Sequence, residues 1–467
     1  MHTSTTSLGH LTPWSANDLQ QATGGYWYQD KKPSELLKRI LTDSRHAEQG
    51  DIFLALKGER FDGHTFISQV ASHGCTVVIV SEPVAEVDNI FQLVVSDTRI
   101  ALGHLGTFRR QSCQKLQVIA LTGSSGKTTT KEMLSSILNG VAPTLVTRGN
   151  LNNDLGVPMM LLELLPEHRY AVMELGANHQ GEIDYTSNLV RPDVAGILNI
   201  GTAHLGEFGG REGICTAKSE IYNHLSETGI AVVPAQDDFT VNILNTTQHL
   251  ETLSFGMGGD VFATDIQLEA QQSIFCLHTP EGTADVCLPF AGEHNISNAL
   301  AAAAFSIALK VPLKQIVKGL QHAVGAKGRL NFIQRHQYTF IDDTYNANPS
   351  SMLAAADVLL KQNGLKVMVI GDIGELGAEA EREHIALGQK LAEKEIDYIV
   401  AVGQYSKAIK SGAQALDKII NFETQAHALP ALIHMIEKHQ PQSMNFLFKG
   451  SRFTHMETLM ADLMEKL

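Results

Sequence analysis

Gly123-Ser124-Ser125-Gly126-Lys127-Thr128-Thr129 carries the plainest chemistry in the chain. The two glycines let backbone N–H groups approach phosphate oxygens with no Cβ between them. Lys127 is placed to reach β- and γ-phosphates, and the Thr128 hydroxyl to ligate Mg2+. The spacing departs from the common one, because the glycine expected five residues before Gly126 is Leu121. The setting is what makes this stretch a phosphate loop. Val118–Leu121 is an apolar run that reads as a buried strand, and Met133, Leu134, Ile137 and Leu138 form one face of a helix that Gly140 ends. Strand, glycine-rich loop and helix together predict nucleoside triphosphate binding, with the helix N-terminus adding partial positive charge.

Other reactive side chains occupy similar places. Glu174 closes the apolar run Arg169–Leu175, and His204 follows the run Asp193–Ile200. Both sit at the C-terminal ends of expected strands, the edge at which open α/β sheets bind ligands. A carboxylate there can hold Mg2+ with Thr128, while histidine is a less usual ligand for that ion. The plainer alternatives are a helix cap for Glu174 and a solvent histidine for His204. Lys218 falls on the helical face of Ile214, Ala217 and Ile221, so it points toward the protein; a lysine with its stem on the core and its head in water gives the same pattern. Asn295 and Asn298, three apart at the start of an alanine-rich helix, suit an adenine edge, or Asn295 caps the helix. Farther on, Arg329, Asp342 and Asp343 would suit a nucleotide site completed by closure of a second domain. Ser44 beside Arg45 can grip a phosphate, although a surface turn with an ion pair is the reading the residues alone favour.

The elements that must position these groups span 467 residues, too many for one ordinary core. The residues divide into an α/β domain at 1–112, a phosphate-loop α/β domain at 113–324 and a Rossmann-like α/β domain at 325–467. In the first, a helix starts at Ser15, Asp51–Leu56 and Thr76–Val80 are strands, Lys57–His64 is a loop, and Arg99–Arg110 is a helix leading out. In the second, Thr252–Phe290 alternates and predicts antiparallel hairpins ahead of a helix at Ile296–Leu309. In the third, Lys366–Gly371, Tyr398–Gly403 and Asn445–Lys449 are strands of a doubly wound sheet, with Gly325–Gly328 as a hinge.

A net charge of −14 argues against a general nucleic-acid surface, so an anionic ligand must be held by local devices. The five cysteines form no CxxC and read as reduced thiols of a cytoplasmic protein. Met1–His10 shows no basic or apolar signal region, and no apolar run approaches the ~20 residues that span a bilayer.

Taken together, the motifs resemble the Mur ligase family over essentially the whole chain. They are GSSGKTTT at 123–130, ELGANHQGEI at 174–183, AHLGEFG at 203–209, AKSEI at 217–221, GEHNISNA at 292–299, GRLNF at 328–332 and DDTYNANPSS at 342–351. GNLNNDLGVP at 149–158, GDIGELGAE at 371–379 and FKGSR at 448–452 are similar to the branch that adds D-alanyl-D-alanine to UDP-N-acetylmuramoyl-tripeptide. The branch that adds diaminopimelate or lysine carries a DNP motif in its third domain, which is missing here. Folylpolyglutamate synthases share the phosphate loop and the lysine, but not DSR or YNANP.

The resemblance implies a monomeric cytoplasmic ligase of cell-wall precursor synthesis that uses ATP and Mg2+ and neither nucleic acid nor membrane. By motif, Gly123–Thr129 would hold the ATP phosphates. Thr128 and Glu174 would share one Mg2+, and His204 and a carbamylated Lys218 a second. Asn295 and Asn298 would contact adenine, and Arg329 and Asp343 would complete the nucleotide site. Ser44, Arg45 and Lys57 would face the UDP end of the substrate, and Asn150 and Asn152 its peptide. Two rival classes are a phosphate-loop kinase, whose products contain no new amide, and a nucleotide-switch binding protein that hydrolyses ATP slowly.

Overall fold

A computed structural model describes residues 12–58, 61–87, 89–202, 205–413, 418–439 and 442–467. The chain divides into two compact units. One comprises Met1–Val118, Ala142–Leu175 and Tyr185–Arg191; the other comprises Ile119–Val141, Gly176–Asp184 and Pro192–Leu467. Among the described residues no helix is long and apolar enough to cross a membrane.

The first unit begins with helix Ala16–Thr23, fixed at its start by a capping box. The Ser15 hydroxyl accepts from Asp18 N at 3.1 Å, and the Asp18 carboxylate accepts from Ser15 N at 3.0 Å. Five strands follow in the spatial order Tyr26–Trp27, Phe91–Val94, Val77–Val80, Ile52–Leu54 and Ile40–Leu41. The first pair is antiparallel and the rest are parallel. Ile52–Leu54 and Val77–Val80 are covered on both faces, by Leu19, Leu102 and Leu105 on one side and Ile67 and Val70 on the other. Double burial is why they read as unbroken apolar runs. The expected outgoing helix spans Thr98–Ser112, capped by Asp97. Helix Gly156–Leu162 packs against it at Gly106, where a Cβ would meet Pro158 at 3.0 Å. Strand Tyr170–Glu174 pairs in parallel with Thr144–Val146.

In the second unit, strands Glu251–Phe255, Ile230–Pro234, Val194–Ile197 and Gln117–Thr122 lie side by side in that order, all parallel. The antiparallel insertion is shorter than the sequence suggests. It comprises Phe262–Leu268, Ser273–Thr279 and Gly282–Leu288, whereas Glu251–Phe255 belongs to the parallel sheet. That strand lies at the edge of its sheet and is only partly buried, so it lacks the unbroken apolar run of its parallel neighbours. The alanine-rich helix Glu293–Ala308 packs on helix Lys127–Asn139, which follows the phosphate loop.

The remaining sheet has the order Asn331–Arg335, Tyr338–Asp343, Met444–Lys449, Leu365–Gly371, Tyr398–Val402 and Ile419–Phe422. Its first pair is antiparallel and the rest are parallel. Apolar layers cover both faces, so the sheet is doubly wound as expected. Its latest strand in the sequence, Met444–Lys449, lies between two earlier ones. The C-terminal ends of three neighbouring strands therefore bring Asp343, Lys449 and Gly371 to one edge.

Candidate active site

Strand Gln117–Thr122 is buried from Val118 onward and delivers the phosphate loop at its C-terminal end. Gly126 has φ +79°, and a Cβ there would collide with Asn298 Oδ1, so glycine is required on both counts. Lys127 Nζ folds back to donate to Gly123 O at 2.7 Å. The loop is clamped from the neighbouring strand by Asn199. Its side-chain oxygen accepts from Ser125 N at 3.0 Å, its amide donates to Ser125 O at 3.1 Å, and its carbonyl accepts from Ser124 N at 3.1 Å. Asn199 lies inside the apolar run Asp193–Ile200, where a polar side chain is the one local sign of its role.

Asn295 and Asn298 are buried in the first turns of their helix and joined to each other, Asn298 Nδ2 donating to Asn295 Oδ1 at 3.1 Å. Gly292, not Asn295, holds the N-cap position; Asn295 Nδ2 instead donates to Ala291 O at 2.8 Å. Arg329 extends from the last sheet to the phosphate loop, where Nη2 donates to Thr128 Oγ1 at 3.3 Å. Its guanidinium lies over the Tyr345 ring at 4.5 Å, and among the described residues its Nε is buried without a partner. Asp343 is buried against Lys449, with Nζ–Oδ2 at 2.6 Å, and Lys449 also donates to Asn346 O at 3.1 Å. A cavity of about 220 Å3 is lined by Ser125, Gly126, Asn298, Arg329, Asp343 and Lys449, among others. Two cations of the last domain, Arg329 and Lys449, thus face one recess beside the phosphate loop, which is chemistry suited to a polyphosphate.

Lys218 lies in helix Arg211–Ser219 and is 2% exposed. Its head does not reach water, so the snorkelling alternative fails. Burial holds the amine well below the ordinary lysine range, and the charge of Lys127 pushes it the same way. His204 lies outside the described residues.

In the first unit Glu174 is the last residue of its strand, 3% exposed, and accepts from Asn152 Nδ2 at 2.8 Å while its N–H donates to Thr147 Oγ1 at 3.0 Å. It caps no helix, since the next one starts at Glu182. The expected peptide-facing residue Asn152 is therefore a partner of the expected metal ligand, and Asn150 is exposed. Ser44 is buried in a short helical turn. Arg45 is exposed and paired with Asp43, Nε at 2.9 Å and Nη2 at 2.6 Å, and the hydrogen bonds from Arg45 hold the Asp43 carboxyl far below the usual range. Lys57 is exposed and lies 3.8 Å from Asp62.

The described residues contain no group of three or more His, Cys, Asp and Glu that could hold a metal. Taken singly, the Thr128 hydroxyl and the buried Glu174 carboxylate are oxygen donors of the kind a hard cation takes. Lys218 fits only if its amine is converted to an anion.

A phosphate loop met by arginine, lysine and carboxylate from a Rossmann-like domain defines a two-domain nucleotide site. The chain belongs to the Mur ligase family. Residues 37–106 match the model "Mur ligase family, catalytic domain", 121–306 the Mur ligase middle domain, and 328–452 the "Mur ligase, glutamate ligase domain". It is 42% identical over 433 residues to the UDP-N-acetylmuramoyl-tripeptide–D-alanyl-D-alanine ligase of Escherichia coli K12, covering 92% of this chain and 94% of that protein. A crystal structure of MurF from Acinetobacter baumannii is 67% identical with a TM-score of 0.95, over 97% of this chain and 99% of that one. The MurF ligase of Thermotoga maritima, solved in complex with ADP, is 29% identical with a TM-score of 0.81, over 92% and 97%.

Proposed function

We propose that this protein is an ATP-dependent ligase that adds D-alanyl-D-alanine to UDP-N-acetylmuramoyl-tripeptide in cytoplasmic cell-wall precursor synthesis, acting as a monomer. The observation that carries this reading is the reach of Arg329 to Thr128 across two domains, beside the buried Asp343–Lys449 pair. The similarity to the Escherichia coli and Acinetobacter proteins over nearly their whole lengths supports the choice of substrates.

A carboxylate is a poor electrophile, so ATP supplies a leaving group. The tripeptide carboxylate oxygen bonds to the γ-phosphorus as the bond to the ADP oxygen breaks, giving an acyl phosphate. The dipeptide amine then adds to the acyl carbon, and the tetrahedral adduct expels inorganic phosphate. Lys127 and the loop N–H groups offset the repulsion between carboxylate and triphosphate. Asn295 and Asn298 meet the adenine, and Arg329 and Asp343 complete the nucleotide contacts. In the first domain Ser44, Arg45 and Lys57 take the UDP end, while Asn150 and Asn152 serve the peptide.

Thr128, Glu174, His204 and Lys218 are the residues that would hold Mg2+, whose contribution is neutralisation of phosphate charge. The buried, easily neutralised Lys218 amine is suited to take up CO2, and the resulting carbamate is a hard oxygen anion. Domain boundaries near residues 112 and 324 fit this division of labour.

Phosphate release, measured with and without D-alanyl-D-alanine, tests the reading. A ligase releases phosphate in step with a new amide and only when all three substrates are present. A phosphorylated product without an amide would make the protein a kinase. Slow release indifferent to the dipeptide would make it a nucleotide switch.

A further inference from the structure

The segment Asp372–Gly377 leaves strand Leu365–Gly371 at the edge that carries Lys449, and it is pinned along its length. The Asp372 carboxylate accepts from Gln404 N at 2.8 Å and Tyr405 N at 3.0 Å. Ile373 N donates to the buried His384 ring at 3.0 Å, Gly374 N donates to Ser451 Oγ at 2.8 Å, and Leu376 is buried. Between these anchors Glu375 stands in the left-handed region, φ +64°, which a residue with a side chain adopts only under strain. Gly377, in the same loop, lies so close to Gly206 that a Cβ on Gly206 would be 3.2 Å from its Cα. The loop thus reaches the helix Leu205–Phe208 of the phosphate-loop domain. There Glu375 comes under the charge of both Lys127 and Glu207.

An exposed carboxylate, held in strain on a loop that leaves the strand beside Lys449, suits neither ATP nor an acyl phosphate, both of which would repel it. The remaining reactant is the amine, which is a cation at neutral pH. We infer that Glu375 is the carboxylate that receives the ammonium group of the incoming D-alanyl-D-alanine and takes its proton. This rests on the ligase reading above. The exposed Phe453 ring borders the same loop, 3.0 Å from a Cβ placed on Gly374, and offers an apolar wall to an alanine methyl.

One ammonium N–H proton passes to the Glu375 carboxylate, and the freed nitrogen pair forms the C–N bond as the acyl C=O pair moves onto oxygen. When that pair returns, the C–O bond to phosphate breaks with its electron pair leaving on the phosphate, which carries away the second N–H proton. Desolvation by the surrounding loop raises the Glu375 carboxyl, against the charge of Lys127 and with that of Glu207, so the group is suited to accept that proton.

The test is steady-state kinetics on the full-length enzyme, combined with hydroxylamine trapping. Neutral hydroxylamine captures the acyl phosphate as a hydroxamate without needing an ammonium receptor. In Glu375→Gln, KM for D-alanyl-D-alanine should rise about tenfold or more, the loss expected for one hydrogen bond to a charged group. KM for ATP and for the UDP-substrate should stay within about twofold, and hydroxamate yield should hold. Glu375→Gly suits the left-handed backbone, so it should keep or raise the thermal midpoint yet show the same dipeptide defect. An unchanged dipeptide KM in both variants, or a hydroxamate yield falling in parallel with ligation, would overturn the assignment. A wild-type enzyme that forms no hydroxamate would overturn the ligase reading, and this inference with it.

Discussion

Two ion pairs, one in each compact unit, are built in opposite ways. At the nucleotide cradle, Lys449 and Asp343 meet at 2.6 Å with side chains only 4% and 9% exposed. In the first unit, Arg45 and Asp43 also meet at 2.6 Å, but their side chains are 81% and 38% exposed. The buried pair is locked by strand register and by the carbonyl of Asn346, and breaking it would leave an uncompensated charge in a dry place. The exposed pair can trade its partner for a phosphate at little cost, because water already screens it. The buried pair is therefore fixed by the fold, while the exposed Asp43–Arg45 pair can rearrange at little cost.

Substitutions in the two regions should differ in the size of their effect accordingly. The largest effect is expected at the cradle. Lys127→Ala should cost on the order of 10²–10³ in kcat, the usual loss for one charge-stabilising donor, with the circular dichroism spectrum unchanged. Near-normal turnover would remove the phosphate loop from the centre of the mechanism. Next comes Lys218→Ala, expected to lose about 10- to 100-fold, the range seen when support of a metal site is removed. Added formate, a short carboxylate, should restore part of the rate if Lys218 acts as a carbamate. A fully active variant would end that role.

The smallest effect belongs to the exposed turn. Arg45→Ala should raise KM for the UDP-substrate about threefold, leave kcat and the thermal midpoint unchanged, and lose its effect as salt is added. An Arg45→Ala enzyme as impaired as Lys127→Ala would show that the turn is as preorganised as the cradle.

The same contrast explains what could be read from the sequence. The phosphate loop, its strand and its helix were legible because their signals are local: glycine placement, an apolar run and a helical face. The Asp343–Lys449 pair was not, since its members are 106 residues apart and meet only through the register of two parallel strands. The hairpin of Asn331–Arg335 with Tyr338–Asp343 went unseen because its first strand is only partly buried and carries no strong alternation. For Lys218 the helical face was right, but periodicity could not tell whether the head reaches water. That depends on what covers the helix, and the cover comes from distant residues. Glu375 was visible only as one letter of the GDIGELGAE stretch; its left-handed backbone angle was not, because at a non-glycine residue that angle is imposed by its anchors and not by its own type.

The place of Met444–Lys449 in the sheet also sets an order of events in folding. This strand fills a gap between neighbours that precede it by about a hundred residues or more on one side and about eighty on the other. Closing the 106-residue span between Asp343 and Lys449 carries an entropic cost growing as (3/2)RT ln n, about 4 kcal/mol, before any contact compensates it. The sheet therefore completes late, and the cradle completes with it. A chain that has folded its phosphate loop but not docked this strand has Lys127 without Lys449 or a settled Asp343.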